Sequence, residues 1–494
     1  MKYKNPIILS DYSDPDVIRY KNNYYMIASS FNHLPGIPVL KSKNLVDWKL
    51  IGHVFQKLPF ERFNDVVHGC GAWAPSLRYH NNKFYCVIPF PDEGIYVSEC
   101  SDIEKGDWSE LHPLIKGSGL EDPCPIWVKD KCYLVIGFVK SRIGFNSVLG
   151  LYEVTPDLKN LVTKDYKIIF DGHNTQPTIE GPKFYFKDDY FYILAPAGSV
   201  KTGWQTALRS KNIYGPYEEK IIMCQNDSPT NGPHQGALID LPNDKWAFIH
   251  FQDRGAYGRI IHLEPVEWHN GWPLCGLVRD NLLPGTPVLE GDYPIDIKSN
   301  YKIDISDDFK NNKLSLMWQT PANKADNFYE LDNGLKLNCI YHNEASSKSL
   351  NLVPNLFLTK LVSSNFKVST KLKLSLKNDY DESGLTFMGY EYGTILIRLI
   401  DNKYHLILLK GAYNEIDNII YDEIIDDIND IELKMYFKNL EYQFGINNKK
   451  IGPKFIATPG RWIGGKYGIY SRGLNNSDGY SIFKYFKVKD YAKD

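Results

Sequence analysis

What this chain of 494 residues lacks first is charge of a single sign: 57 Lys and Arg stand against 59 Asp and Glu, a formal net charge of −2. That balance gives no electrostatic footing for a nucleic acid or an anionic membrane surface as partner. No stretch of about 18 apolar residues occurs, so no segment reads as a membrane-spanning helix. The opening residues, MKYKNPIILSDYSDPD, carry no apolar run of signal-peptide length, and the expectation is a soluble, cytoplasmic protein. The eight cysteines (70, 86, 100, 124, 132, 224, 275 and 339) include no CxxC pair. Scattered in this way, they read as buried free thiols in a reducing compartment rather than as a disulfide framework. Also missing are a basic cluster suited to phosphate and a Ser or Cys nucleophile with a paired His, which removes phosphate ligands and Ser/Cys nucleophilic catalysis from consideration.

Aromatics, by contrast, are plentiful at 14% of the chain, with 34 Tyr and 10 Trp. They favour β-structure and supply the flat apolar surfaces on which sugars stack. The length suggests two or three folding units. The segment SDYSDPDVIRY, at residues 10 to 20, crowds Asp11, Asp14 and Asp16 ahead of a hairpin pattern, RYKNNYYMIASS. That hairpin returns as YHNNKFYCVI (79–88), VKDKCYLVIG (128–137), FKDDYFYILA (186–195) and, more loosely, LPNDKWAFIH (241–250). Each is a short strand, a polar turn and an aromatic, β-branched strand. Anchored on Tyr24, Phe84, Cys132, Tyr190 and Trp246, the units recur at spacings of 60, 48, 58 and 56. A second echo, SKNLVDWKLI (42–51) and its relatives at 99–111 and 209–220, adds further strands. Four strands in roughly fifty residues is the size of a propeller blade, so the sequence predicts an all-β chain with a five-bladed β-propeller over residues 1–300.

The repeat gives the aspartates a place. Ten residues before each anchor stand Asp14, Ala74, Asp122, Glu180 and Gly236, the last two residues past His234. Equivalent positions on innermost strands face one channel, so Asp14, Asp122 and Glu180 should converge at one end of it with His234 nearby. Pro or Gly flanks each carboxylate, in SDPDV, LEDPCP and IEGPKF, which suits a strand end that aims a side chain into a cavity. Taken singly, each is a solvated turn acid by default. Gathered together, like charges raise one another's pKa, and this is the device of glycosidases: one carboxyl stays protonated to donate to the leaving oxygen while another stays ionised.

These residues also carry a resemblance. The segments DPDVIR, GAWAPSLRYHNNKFY, TIEGPKFYFKDDYFYILAPAGSVKTGWQTALRSKNIYGPYE and NGPHQG with HFQDRGAYGRIIHLEPVEWHNGWP resemble glycoside hydrolase family 43, in its branch of two-domain β-xylosidases and α-L-arabinofuranosidases. The resemblance covers most of residues 5 to 275. It implies a five-bladed propeller and an inverting mechanism, with Asp14 as general base, Glu180 as general acid and Asp122 orienting the acid and modulating its pKa. It further implies a sugar-binding role for Arg259 and a central-channel metal site at His234, where a hydrated calcium is expected. Read from the residues alone, His234 can equally be a structural hydrogen-bonding residue, and Arg259, like Arg254, a structural ion-pair partner. Hard cations prefer oxygen, so water would make most of the bonds to a calcium held there. Phe31 and Trp73 are candidate sugar platforms, with propeller core as the alternative for either. His33 and Leu34 depart from the further aromatics usual in the family at that edge.

From about residue 300 the pattern changes to clean alternation, as in FKVSTKLKLSL (366–376), GTILIRLI (393–400), KYHLILLKG (403–411) and IELKMYFK (431–438). Alternation of this kind predicts antiparallel sheets packed face to face, a β-sandwich domain over 301–494. The segment PGRWIGGKYGIYS resembles one that approaches the active site in this branch, which would bring Trp462 to the pocket; a sandwich-core Trp is the alternative. The expected activity is exo-acting, inverting release of terminal pentoses, β-D-xylose or α-L-arabinofuranose, from an oligosaccharide substrate. A non-catalytic sugar-binding propeller and a retaining fructan-type hydrolase are the competing classes, the second lacking its usual Asn-Asp-Pro-Asn motif here.

Overall fold

The computed structural model describes residues 1–279, 284–475 and 477–492. The chain is all-β, and its first half forms five four-stranded antiparallel sheets in chain order. Sheet I holds Asp16–Tyr20, Asn23–Ile27, Gly36–Ser42 and Trp48–Phe55. Sheet II runs from Ser76–His80 to His112–Lys116, sheet III from Leu120–Val128 to Lys167–Asp171, sheet IV from Lys183–Lys187 to Glu218–Met223, and sheet V from His234–Asp240 to Trp272–Cys275. The first strands of sheets I, II, III and IV lie side by side in turn, sheet V packs on sheet IV, and its first strand returns beside that of sheet I. The ring is therefore closed.

The tight hairpins follow from their turn residues. Asn81-Asn82 and Asp188-Asp189 both have φ between 46° and 62°, the left-handed pair that a two-residue turn between twisted strands requires. Short polar side chains tolerate that region best. Closure is reinforced at the N-terminus. Residues 7 to 12 run along sheet V, where the backbone N–H of Ile7 donates to Ile261 and that of Tyr12 to Arg259, before the chain enters sheet I.

Inside the ring the sheets are tied by a buried polar chain. Asp16 of sheet I, fully buried, accepts from the Leu77 N–H (2.8 Å) and from Arg78 Nη1 (2.7 Å) of sheet II. Arg78 Nη2 donates to Cys124 Sγ of sheet III at 2.8 Å, and Cys124 Sγ also accepts the Phe184 N–H of sheet IV at 3.2 Å. The ammonium of Lys183, also fully buried, lies 3.9 Å from Asp16 and donates to Pro75 O and Ser76 Oγ. Tyr185 then accepts the Leu238 N–H of sheet V at 2.9 Å. All eight cysteines are free, and Cys124 among them is structural.

The second half forms a seven-stranded and a six-stranded antiparallel sheet. Phe366, Val368, Met435 and Phe437 from the first meet Leu385, Phe387, Ile395 and Tyr467 from the second in one core, and that core continues into Ala256 and Tyr257 of the first half. Alternating inward residues account for it. The two halves are stitched together by the segment at 319–321: Leu34 and Thr320 exchange backbone hydrogen bonds, and Asn32 Nδ2 donates to Pro321 O at 2.6 Å. His33 and Leu34, which depart from the family's aromatics, are buried at this seam.

Removing the carboxylate charge of Asp16 strands two buried cations. Asp16→Asn is expected to cost ~3–5 kcal/mol in denaturant unfolding, as loss of one partner from a buried ion pair does. A cost no larger than that of a surface pair, ~1 kcal/mol, would show that Arg78 and Lys183 do not depend on it.

Candidate active site

At one end of the ring lies a cavity of about 270 Å³, just under the usual size of small-molecule sites, ~300–1,000 Å³. Asp14, Ala74, Asp122, Glu180 and Gln235, one residue from each of the five sheets or the turn that precedes it, line it. Each first strand, or the turn leading into it, thus contributes one residue here, and the strand contributes another, two or three positions on, to the buried polar chain. The fifth position is Gln235 rather than Gly236 because the strand is bulged between His234 and Gly236.

Asp14 is the most firmly held. Its carboxylate accepts from Ser13 Oγ (2.7 Å), Ser29 Oγ (2.5 Å) and Arg259 Nη1 (3.0 Å), with its side chain only 6% exposed. Three donors, one of them charged, fix its direction. Arg259 is in turn placed by its own N–H, which donates to Asp11 Oδ1 at 2.9 Å. The three aspartates at the start of the chain thus divide into Asp11 holding the arginine backbone, Asp14 in the cavity and Asp16 in the chain beneath. Arg254 is exposed and does not line the cavity.

Asp122 is buried and accepts the Gly181 N–H at 2.7 Å. Gly181 has φ of 58°, and a Cβ there would lie 2.7 Å from Gln235, so glycine lets the chain turn and present Glu180 beside Asp122. Burial first, and the charges of Glu180 and Asp14 second, push Asp122 from 3.8 up to about 8. Glu121, which counting along the sequence had not marked, also lines the cavity, and burial with the charges of Asp122, Glu180 and Asp14 holds it well above the carboxylate range. Successive residues of a regular strand face opposite ways. A bulge between Glu121 and Cys124, with φ of 53° at Asp122, turns both acids inward. The neighbouring letters in LEDPCP were the only signal.

Glu180 is the accessible acid of the group, its side chain 35% exposed, and its Oε1 shares a 2.7 Å hydrogen bond with His234 Nε2. His234 is fully buried behind it and does not line the cavity. Its other nitrogen, Nδ1, is buried with no partner among the described residues. A carboxylate on one imidazole nitrogen and an open position on the other is the arrangement metal-binding histidines adopt. Among the described residues, however, no group of three or more ligand-bearing His, Cys, Asp or Glu side chains is centred on His234. A cation there would be held by one nitrogen and by water.

Aromatic side chains wall the mouth. Phe31, buried and tied through backbone hydrogen bonds to Ala72, stands 6.2 Å from the Trp73 ring, and Trp73 meets Trp462 edge-on at 6.4 Å. Trp73 Nε1 donates to Gly69 O, which sets the ring. Trp462 comes from the second half of the chain: its loop packs on Gly69, and the Gly465 N–H donates to Ala256 O at 2.8 Å. With 48% of its surface exposed, Trp462 is no core residue of the sandwich. Thr178, Ser199, Val200 and Asn146 complete the lining without any mark in the sequence pattern.

The family model described as Glycosyl hydrolases family 43 matches residues 3–273, and one described as Beta xylosidase C-terminal Concanavalin A-like domain matches residues 306–489. A protein of Xylanibacter ruminicola, provisionally named a beta-xylosidase, is 33% identical over 478 residues, covering 96% of this chain and 86% of its own. A non-reducing end alpha-L-arabinofuranosidase of Bacteroides ovatus is 28% identical, covering 78% of this chain and 73% of its own. Among solved structures, a GH43 protein of Bacillus licheniformis superposes with a TM-score of 0.86 at 21% identity, over 99% of this chain and all of that one. That likeness speaks for the fold alone.

The raised pKa of Asp122 is a stability statement with a sign. Its proton binds more tightly in the folded chain, so the folded state loses stability as pH rises from 3.8 towards about 8. Asp122→Asn removes that loss. Its melting temperature relative to the wild type should climb across this window and level off above it, while turnover falls. An offset that does not change with pH would show that Asp122 ionises as easily folded as unfolded.

Proposed function

The chain belongs to glycosyl hydrolases family 43, and from that premise we propose that this glycoside hydrolase is an exo-acting, inverting enzyme releasing terminal β-D-xylose or α-L-arabinofuranose from xylo-oligosaccharides or arabinose-substituted fragments. The observation that carries the reading is the meeting of Asp14, Glu121, Asp122 and Glu180 in one small cavity behind Phe31, Trp73 and Trp462. The ring of sheets is read as a five-bladed propeller over residues 1–300, followed by a sandwich domain over 301–494; residues 280–283, 476, 493 and 494 lie outside the described residues.

Asp14 is the general base. Its carboxylate is oriented by three donors towards taking a proton from the water that attacks the anomeric carbon. Glu180 is the general acid, since it is the accessible carboxyl and His234 fixes one of its oxygens, leaving the other for the leaving oxygen. Asp122 keeps a proton within the group at neutral pH and holds the turn at Gly181, so it positions and recharges the acid. Arg259 fixes the base and stands where a sugar hydroxyl can accept from its remaining N–H groups. A cavity of about 270 Å³, walled at its mouth by Phe31, Trp73 and Trp462, suits a chain end rather than a chain middle, which makes the action exo. A hydrated calcium held through His234 Nδ1 would add positive charge beneath the carboxylates, with water supplying its other bonds.

Paired assays on aryl β-D-xyloside and aryl α-L-arabinofuranoside test the reading, and NMR of the first-formed sugar should show the inverted anomer. Glu180→Ala should lower turnover of poor leaving groups by ~10²–10⁴ and spare activated aryl glycosides, whereas Asp14→Ala should damage both. Equal losses across leaving groups would remove Glu180 from the role of acid. No turnover of any pentoside would leave a sugar-binding propeller, and a retained anomer would point to the fructan-type alternative.

For calcium, chelation should lower turnover with the fold retained, and added calcium should restore it without refolding. Indifference to chelator, together with wild-type turnover in His234→Ala, would make the histidine structural only.

A further inference from the structure

Away from the cavity, sheet V carries a second set of chemistry-bearing side chains. His250 on the strand Trp246–Asp253 is directly paired with His262 on Arg259–His269, and Glu264 lies two residues further along that strand, opposite Phe248. Residues two apart share a face, so the three side chains stand together on the face that also bears Phe248, which packs with Leu194 and Ala207 of sheet IV. All three are buried: His250 and Glu264 completely, His262 at 2% exposure. None lines the catalytic cavity.

Their ligand atoms lie within 4.8 Å of one another, and His250 Nε2 is already 3.1 Å from Glu264 Oε1. Small side-chain rotations bring such a set onto one ion at ~2.0–2.2 Å from each donor. The outer contacts are those of a built metal site. His250 Nδ1 sits 3.1 Å from Phe251 O, as a donor to a carbonyl, and Glu264 Oε2 accepts the Val288 N–H at 2.8 Å, so the remaining nitrogen and oxygen face each other. His262 is the telling member. Neither of its ring nitrogens has a partner among the described residues, although both are buried. A buried imidazole left in that state costs free energy unless something else occupies the site.

We propose that His250, His262 and Glu264 bind a first-row divalent cation of the zinc type, at a structural site between sheets IV and V that is separate from the carboxylate cavity. Two imidazoles and one carboxylate suit zinc, whereas calcium requires an oxygen-rich shell. A water fills the fourth position. The ion clamps two adjacent strands of the sheet that carries Arg259, and the proposal does not rest on the hydrolase reading.

The test uses the full-length chain, stripped with chelator and titrated with zinc by calorimetry and by thermal melting, and with cobalt(II) for the visible bands of a nitrogen- and oxygen-ligated tetrahedral ion. One equivalent of zinc per chain, a raised melting temperature and no displacement by excess calcium are expected. His262→Gln should weaken zinc binding by more than the ~10–100-fold that loss of an outer contact costs. Glu264→Gln keeps an oxygen for the Val288 N–H and should weaken it likewise, which secures the test if the histidine variant does not fold. Failure of the wild type to bind zinc stoichiometrically, or wild-type binding in Glu264→Gln, would overturn the proposal and leave the triad as a hydrogen-bonded cluster around water.

Discussion

The carboxylate of Asp16 sets the geometry on which the rest depends. It is wholly buried, and its partners come from two other sheets: Arg78 directly and Lys183 across 3.9 Å. Two cations cannot share that interior without an anion, and an anion cannot lie there without them. The pairing therefore fixes how sheets I, II and IV sit relative to one another, and Cys124 and Tyr185 extend the same chain to sheets III and V. Each sheet is gripped near the start of its first strand. The residues a step earlier, on those strands or just before them, Asp14, Asp122 and Glu180 among them, inherit their positions from that grip.

The same arrangement explains why so many acids can share one small space. Arg259 stands beside Asp14, 3.0 Å from its carboxylate, and compensates a negative charge there. That compensation is local, and Asp122 and Glu121, further from any direct cation, respond by holding their protons. Chemically similar groups thus stand in unequal environments, Asp14 beside a guanidinium and Asp122 and Glu121 without one, and unequal environments are what acid and base chemistry at one site needs.

Much of this was legible in the sequence, because the hairpin repeat is a local pattern and the ring is built by repeating it. Counting back ten residues from the hairpin anchors reached Asp14, Ala74, Asp122 and Glu180, all of which line the cavity. Counting failed where the strand does not keep its period. The bulge at His234/Gly236 moved the fifth lining residue to Gln235 and put His234 behind Glu180, and the bulge at Glu121/Cys124 brought in a fourth acid. A bulge leaves no mark in hydrophobic periodicity, since it displaces a single residue. Trp462 was invisible to any local rule for another reason: its neighbour Trp73 is almost four hundred residues away, and only the resemblance of PGRWIGGKYGIYS pointed to it.

The bulges belong to a wider feature of the site. Seven of the fourteen residues lining the cavity have φ between 28° and 78°, including Phe31, Thr178 and Trp462, whose side chains disfavour that region. Each such residue costs on the order of 1–3 kcal/mol and persists only where its surroundings leave no alternative. Those surroundings are strong here. Phe31 is locked by paired backbone hydrogen bonds to Ala72, Asp122 by the bulged strand and the Gly181 N–H, and Trp462 by a loop seated on Gly69 and Ala256. Left-handed backbone at the end of a strand turns a side chain out of the sheet's alternation and into the axis, which regular strands cannot do from several directions at once. A cavity lined by convergent acids thus requires backbone that the sheets would not adopt by themselves, and the closed ring with its docked sandwich supplies the rigidity that holds it.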